Sequence, residues 1–298
     1  GINKKWLLHT LNSNVIQEQI KECTTKVGQP KLAIKRIENF LIPLPPLTEQ
    51  QQIVEKLNRL LAEIDELKAQ EQALLAAQNA FPKKLRAAIL QAAIQGELNE
   101  RTNENARDLF AAIQAEKAAL QKAGKLKKDK PLATISEEEI PFAIPENWVW
   151  VRLSNLCYSI PSKPYQILQK ETQTTGIYPV VSQSKNMIDG YSNEKDKLFS
   201  EVPVIIFGDH TRVIKLIDFE FIVGADGTKI LKPILTNEKY IEFALKALTI
   251  NMVDRGYSRH FQFIKDLLIP LPPLVEQQQI VAKLEALLAE IDTLENAT

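Results

Sequence analysis

One segment of this chain occurs twice. Residues 42–57 read IPLPPLTEQQQIVEKL and residues 269–284 read IPLPPLVEQQQIVAKL. Compared position by position, residues 40–68 and 267–295 are identical at 22 of 29 places, at a constant offset of 227. An internal repeat constrains architecture before any local propensity does. The offset is too long for a solenoid, so it predicts two copies of a module, each made of one domain and one helix. A weaker echo lies upstream of each copy: WLLHTLNSN (6–14) resembles YIEFALKALTIN (240–251), and IKRIENFLIP (34–43) resembles FQFIKDLLIP (261–270). The predicted chain order is the tail of one domain, a helix, a whole domain and a helix.

The repeated segment is a helix with a prolyl entry. Pro43, Pro45 and Pro46 lack backbone donors and favour extended geometry, so the helix must start after them. Thr48 and Gln51 have the T-x-x-Q spacing of a capping box. Val275 removes that side-chain cap from the second copy, and the sequence offers no compensation for it. Beyond the entry, Ile53, Leu57, Leu60, Ile64 and Leu67 alternate steps of four and three, as do Ile280, Leu284, Leu287, Ile291 and Leu294. That pattern predicts a coiled-coil seam. Val54, Leu61, Leu75, Val281 and Leu288 widen the stripe enough for a further helix from a partner, although a helix packed on its own domain would show the same stripe. Pro82 is predicted to end or kink the first helix, after roughly 50 Å at 1.5 Å per residue. Two shorter helices follow, ending near Gly96 and Gly124. The stretch 130–148, KPLATISEEEIPFAIPENW, has no period and reads as an extended tether.

Composition narrows the function classes. A chain of 298 residues, 45% apolar and 25% charged, is an ordinary soluble protein of about two domains. Cys23 and Cys157 make no disulfide framework, the first residues lack a signal peptide's apolar stretch, and no apolar run approaches roughly 18 residues. The expected location is cytoplasmic, with no membrane partner. Net charge is zero, but acid collects on the repeated helices and base on residues 1–40 and 81–130. A solvated helical face accounts for most of that segregation, and the basic remainder permits phosphate contacts. Three histidines (His9, His210, His260), no cysteine–histidine cluster and no GxGxxG or HExxH motif leave no expected metal, cofactor or catalytic residue.

From Trp148 the pattern changes to short β-rich runs punctuated by Gly and Pro, then one helix around 238–250, which predicts an α+β domain with a small mixed sheet. Its suggestive polar groups fall in turns. Asp209, His210, Thr211 and Arg212 share one, Asp226 and Lys229 another, and Arg255, Tyr257, Arg259 and His260 a third. Arginine and lysine can fork onto guanine edges or grip phosphates, so these turns, with Lys185, are the candidate DNA contacts. Arg212 and Arg259 are the expected base readers and Lys185 and Lys229 the expected phosphate contacts. Asp209 is expected to orient Arg212 or to accept from a cytosine amine. Ordinary turn chemistry with surface ion pairs is the blander reading.

Several of these stretches together resemble one family. The entry IPLPPLxEQQ(Q)IV, the helix after it, LRAAILQAAIQGEL, IQAEKAALQKAGKLKK, ISEEEIPFAIPENWVWVRL and the duplicated layout are similar to the specificity subunit of type I restriction-modification systems. The resemblance covers essentially the whole chain, most specifically in its helices. It implies target-recognition domains that each read half of a split site in double-stranded DNA, and two long helices that pair as an antiparallel coiled coil to hold them apart. It also implies docking of the methyltransferase subunits, the restriction subunit through the complex, and no catalysis by the chain itself. An amino-methyltransferase would need a [D/N/S]-P-P-[Y/F/W] loop, and both Pro-Pro pairs here lie in LPPL.

The expected division is a remnant of a first recognition domain (1–40), a first helical spacer (41–124), a linker (125–145), a complete recognition domain (146–268) and a second spacer helix (269–298). On this reading the chain is a C-terminal portion of a specificity subunit. The near-identity of the spacer helices also suggests self-association. A coiled-coil adaptor without sequence-specific DNA binding is the competing class.

Overall fold

The computed structural model describes residues 1–24, 32–127, 132–224, 226–250, 252 and 259–296. It falls into two compact units, Gly1–Ala80 and Phe81–Thr298. The first contains α1 (Lys4–Leu11), α2 (Asn14–Cys23), the single turn α3 (Ile34–Ile37) and the beginning of α4 (Leu47–Ile94). Asn3 caps α1 by accepting from the Lys5 and Trp6 amides, and Trp6, Ile16 and Val54 are buried.

The second unit holds the end of α4 and α5 (Ala106–Lys122), then β1 (Val149–Arg152), α6 (Leu153–Leu156), β2 (Cys157–Ile160), β3 (Tyr178–Val181) and β4 (Gly190–Ser192). β5 (Val204–Gly208), β6 (Ile214–Ile217), β7 (Ile222–Val223) and β8 (Thr228–Pro233) follow, then α7 (Glu238–Thr249), α8 (Phe261–Ile264), β9 (Leu268–Leu271) and α9 (Leu274–Asn296). Among the described residues the strands form an antiparallel pair β1–β9, an antiparallel sheet β2–β8–β5–β6 and a mixed sheet β4–β3–β7. The fold is α+β.

Strand β5 shows why the four-stranded sheet lies inside the unit. Its residues VIIFG are all buried, and their side chains alternate between two cores. Ile205 and Phe207 join the helix-side core with Tyr240, Ala244 and Leu284, while Val204 and Ile206 join Phe199 and Phe221 on the other face. A strand buried on both faces must be apolar throughout, as this one is.

The two copies of the repeat enter their helices through the same joint, and it is not the capping box. Both helices start at the leucine directly after the prolines, so Thr48 lies inside α4 and is exposed. The joint is made by a glutamine. Gln50 accepts from the Asn3 amide at 2.8 Å and donates to the Pro45 carbonyl at 2.8 Å. Gln277 accepts from the Asn237 amide at 2.8 Å and donates to the Pro272 carbonyl at 2.8 Å. Asn3 and Asn237 are the N-caps of α1 and α7, so the weak upstream echo marks the same helix in both copies. A glutamine present in both copies ties the prolyl entry to the N-cap of a neighbouring helix, a joint that does not involve the residue at 48 or 275.

Pro82 does not end the first helix. α4 runs through it to Ile94. A proline in a helix interior costs about 3 kcal/mol. Downstream, Leu90, Ala93 and Ile94 are buried in the helix-side core, where Leu90 and Ile94 contribute roughly 1.5–3 kcal/mol each and offset that cost. The stretch read as a tether is docked over its described part. Ser136 and Glu139 form a capping box around Glu137–Glu139, Arg152 donates to the Glu139 carboxylate at 2.9 Å, and Phe142 meets Trp150 edge to face at 4.9 Å.

α9 lies antiparallel to the part of α4 beyond Pro82. Arg86 reaches Asp292, and Glu295 at 2.6 Å, near one end, while Asn99 reaches Glu276 at 2.7 Å at the other. Ile280, Val281 and Leu284 of α9 are buried in the core with Leu90 and Ile94. In α4 the expected seam residues Ile53, Leu60, Ile64 and Leu67 are exposed.

Candidate nucleic-acid interface

The candidate residues come together at one end of the four-stranded sheet, and a buried carboxylate assembles them. Asp209 follows β5 directly and is 2% exposed. Its amide donates to the Gly227 carbonyl at 2.7 Å, and its own carbonyl accepts from the His260 amide at 2.8 Å. Its carboxylate accepts from the Phe261 amide at 2.8 Å and lies 3.4 Å from the Lys229 ammonium. The turns around 209–212, 226–229 and 259–261, distant in sequence, are thus tied to one residue. The expectation that Asp209 orients Arg212 is corrected: its carboxylate is engaged by Phe261 and Lys229. A carboxylate this buried needs such partners, since an unpaired one is strongly disfavoured.

Gln183 performs the second bridging. Its side chain accepts from the His210 amide at 3.0 Å and donates to the Asp226 carbonyl at 2.8 Å, and its carbonyl accepts from the Thr211 hydroxyl at 2.6 Å. Gly227 adopts φ +79°, and a Cβ there would come within 2.8 Å of the His210 ring and 2.9 Å of Gln183. Glycine is required at that turn by both its backbone and the closeness of its neighbours.

Between the turns lies a cleft of about 850 Å³, lined among others by Lys163, Gln166, His210, Lys229 and Arg259. Arg259 and Lys163 are exposed; Lys229 is partly drawn inward, toward Asp209 and over the Phe261 ring at 5.8 Å. Arg212, at φ 60°, donates through Nη1 to the Met252 carbonyl at 2.6 Å. His260 is fully buried, and its Nδ1 lies 3.0 Å from the Asp209 carbonyl. Lys185 is exposed on the loop 182–189. That loop is held from beneath by Lys215, 4% exposed, which donates to the Ser182 carbonyl at 3.0 Å and to the Asn186 carbonyl. Burial pushes the Lys215 ammonium below its ordinary pKa, and nearby Asp189 opposes that. Tyr257 and Arg255 lie outside the described residues.

The structure therefore gathers Asp209, His210, Thr211, Arg212, Lys229, Arg259 and His260 in one place, with Lys185 on the adjoining loop. Sequence reading missed Lys163, Gln183 and Lys215. Lys163 lies in a Pro- and Ser-rich turn that could have drawn notice. Nothing in the sequence distinguishes Gln183.

A cleft with outward cations at the end of a sheet suits a polyanion, and the comparisons bear on which one. The family model described as type I restriction modification DNA specificity domain matches residues 2–76 and 145–298, more than half of the chain. The chain belongs to that family. This specificity-domain chain is 28% identical to the type I restriction enzyme EcoAI specificity subunit of Escherichia coli, over 96% of its own length and 60% of the relative's. It is 30% identical to the EcoEI specificity subunit of the same organism, over 72% of its length and 40% of the relative's. It thus spans less than two thirds of each of these relatives. The crystal structure of the HsdS subunit from Thermoanaerobacter tengcongensis aligns with the whole specificity-domain chain and 65% of its own, at 19% identity and a TM-score of 0.43.

Proposed function

We propose that the chain is a DNA-recognition component of a type I restriction-modification complex, reading one half of a bipartite site in double-stranded DNA and carrying no catalytic residue of its own. The convergence of four separate loops on one cation-lined cleft supports this reading most directly. Lys163, Lys185 and Lys229 are assigned to phosphates and Arg259 to a base edge, with His210, Thr211 and Arg212 in the turn between. Asp209 and His260 hold the loops from inside. Recognition would fall to residues 146–268, with 41–124 and 269–298 as spacers, 125–145 as the connection and 1–40 as a remnant of the first recognition domain. The exposed stripe Ile53, Leu60, Ile64 and Leu67 is assigned to docking of the modification subunits, through which the restriction subunit joins. The relatives' class and the lack, among the described residues, of any helix long and apolar enough to cross a membrane support a cytoplasmic location.

The test is titration of variants against duplexes substituted one base at a time, at two salt concentrations. Arg259→Ala should relax preference at one base position, by about 1–3 kcal/mol of discrimination. Lys185→Ala and Lys163→Ala should weaken all sequences alike and reduce the salt slope by about one. Retention of wild-type affinity and preference by all three variants would remove this face from DNA recognition.

A further inference from the structure

The basic stretch of the sequence ends at a place that the cleft cations do not use. Residues 117–127, KAALQKAGKLK, hold four lysines and no acidic residue, yet every cation assigned to the cleft lies beyond residue 146. This stretch is the end of α5 and the turn after it. Gly124 adopts φ +74°, its amide donates to the Gln121 carbonyl at 3.1 Å and the Lys125 amide to the Leu120 carbonyl at 3.0 Å, which is a Schellman ending. The turn brings Lys125, Leu126 and Lys127 to the wall of a second cavity, of about 440 Å³. Lys117 lines it too and donates to the Ser154 carbonyl at 2.5 Å, tying α5 to α6. Lys265, directly after α8, also lines it. Lys125, Lys127 and Lys265 are exposed, and no carboxylate is among the described lining residues. Asp266 stands 3.8 Å from Lys265, an exposed pair that neutralises little. Lysines at a helix C-terminus suit its dipole, which accounts for Lys122 and Lys125. It does not account for the meeting of Lys265 with them from a different part of the chain. The cavity adjoins the proposed DNA cleft, because Ser159 and Pro161, at the end of edge strand β2, line both. Phe261 joins them as well: its ring lines the cavity and lies 5.8 Å beneath Lys229 of the cleft.

We propose that this cavity seats the sugar-phosphate backbone of the duplex just outside the half-site, with phosphates on Lys125, Lys127 and Lys265 and the C–H face of a deoxyribose on Leu126, Tyr158 and Phe261. The inference rests on the DNA reading of the cleft and extends it to the end of a helix otherwise assigned to spacing. Continuity selects the occupant. A strand leaving Lys163 passes Ser159 and Pro161 into the cavity, so its phosphates meet the next lysines without a change of partner. Contacts of this kind fix orientation and add affinity but carry no base preference. The end of α5 therefore holds the duplex in place while the cleft reads it.

The probe is the site-bearing duplex of the titration above, extended by one helical turn on each side, together with versions trimmed back at one end or the other. On the extended duplex, Lys125→Ala with Lys127→Ala should weaken all sequences alike and flatten the slope of log K against log salt by about 2, at roughly 0.9 per phosphate contact, with base preference unchanged. Lys265→Ala should flatten it by about 1. Lys122→Ala removes the same charge from an exposed position on the same helix that does not line the cavity, and should leave the slope as it is. Trimming one end should make wild type and the double variant bind alike, since that duplex reports the cleft alone, while trimming the other end should preserve their difference. An unchanged slope in the double variant, an equal loss from Lys122→Ala, or a loss that survives trimming of either end would overturn the proposal. So would saturable binding of a polyglutamate peptide that the double substitution abolishes while DNA binding is kept, since the occupant would then be protein. The Lys163, Lys185 and Arg259 variants test the cleft and leave the cavity intact, so the two readings fail separately.

Discussion

At the scale of single residues, Glu49 and Glu276 are the same amino acid in the same local sequence with different energetic roles. Burial alone would push the Glu276 carboxyl up, but hydrogen bonds from Thr102, Trp148 and Asn147 outweigh it, and the net shift is downward. A carboxylate whose folded pKa lies below its unfolded value stabilises the fold above the unfolded value, near 4.3 for glutamate. That contribution is lost as pH falls through the folded value. The difference in urea midpoint between wild type and Glu276→Gln should therefore be largest near neutrality and shrink toward pH 3. Glu276→Ala should cost at least about 3 kcal/mol at neutral pH, because each buried donor left unpaired costs about 1–3 kcal/mol. Glu49→Ala should change stability by less than about 0.5 kcal/mol, as an exposed substitution does. Chemical denaturation of the two alanine variants measures the contrast directly.

At the scale of elements, the repeated helices share a heptad pattern but differ in what their apolar residues meet. Leu284 is fully buried in the helix-side core, while Leu60 is 40% exposed. Leu284→Asp should unfold the second unit or cost more than about 4 kcal/mol, through an unpaired charge in an apolar site. Leu60→Asp should leave the melting temperature of the isolated chain nearly unchanged. Its effect should appear instead as loss of co-elution with a methyltransferase subunit on gel filtration. Equal loss of stability in both variants would mean that Leu60 is covered in solution. Pro82 belongs to the same scale, since a local break signal was overridden by a core contact a few residues downstream.

At the scale of the whole molecule, zero net charge does not oppose the proposed DNA contact, because phosphate binding depends on the cations at one face and not on the chain's total charge. The cations assigned to the interface are Lys163, Lys185, Arg212, Lys229 and Arg259, and Lys229 is partly neutralised by Asp209. With roughly 0.9 counterion released per phosphate contact, the slope of log K against log salt should lie between about −3 and −5. If a single cleft does the reading, a duplex with one half-site should bind the chain as tightly as a duplex with both. Fluorescence titrations across a salt series measure both quantities, and a several-fold preference for the two-half-site duplex would require a second reading surface.

The repeat, the prolyl entry, the α+β class of the second module and the candidate turns were all readable in the amino-acid order, because periodicity, proline geometry and turn chemistry act over a few residues. Tertiary structure decided the rest. The segment LIPLPP is exposed in one copy and buried in the other, so no local rule can assign its burial; only the presence of a facing strand does. The expected threonine cap is not formed, and the entry is held instead by a glutamine whose partner, the N-cap of another helix, lies 47 residues away in one copy and 40 in the other. Asp209, read as a group that would point outward, is the buried tie among three turns because Gly227, Lys229 and Phe261 reach it from elsewhere in the chain. Burial and hydrogen-bond pairing are properties of what meets a residue in space, and that is fixed only when the chain has closed on itself.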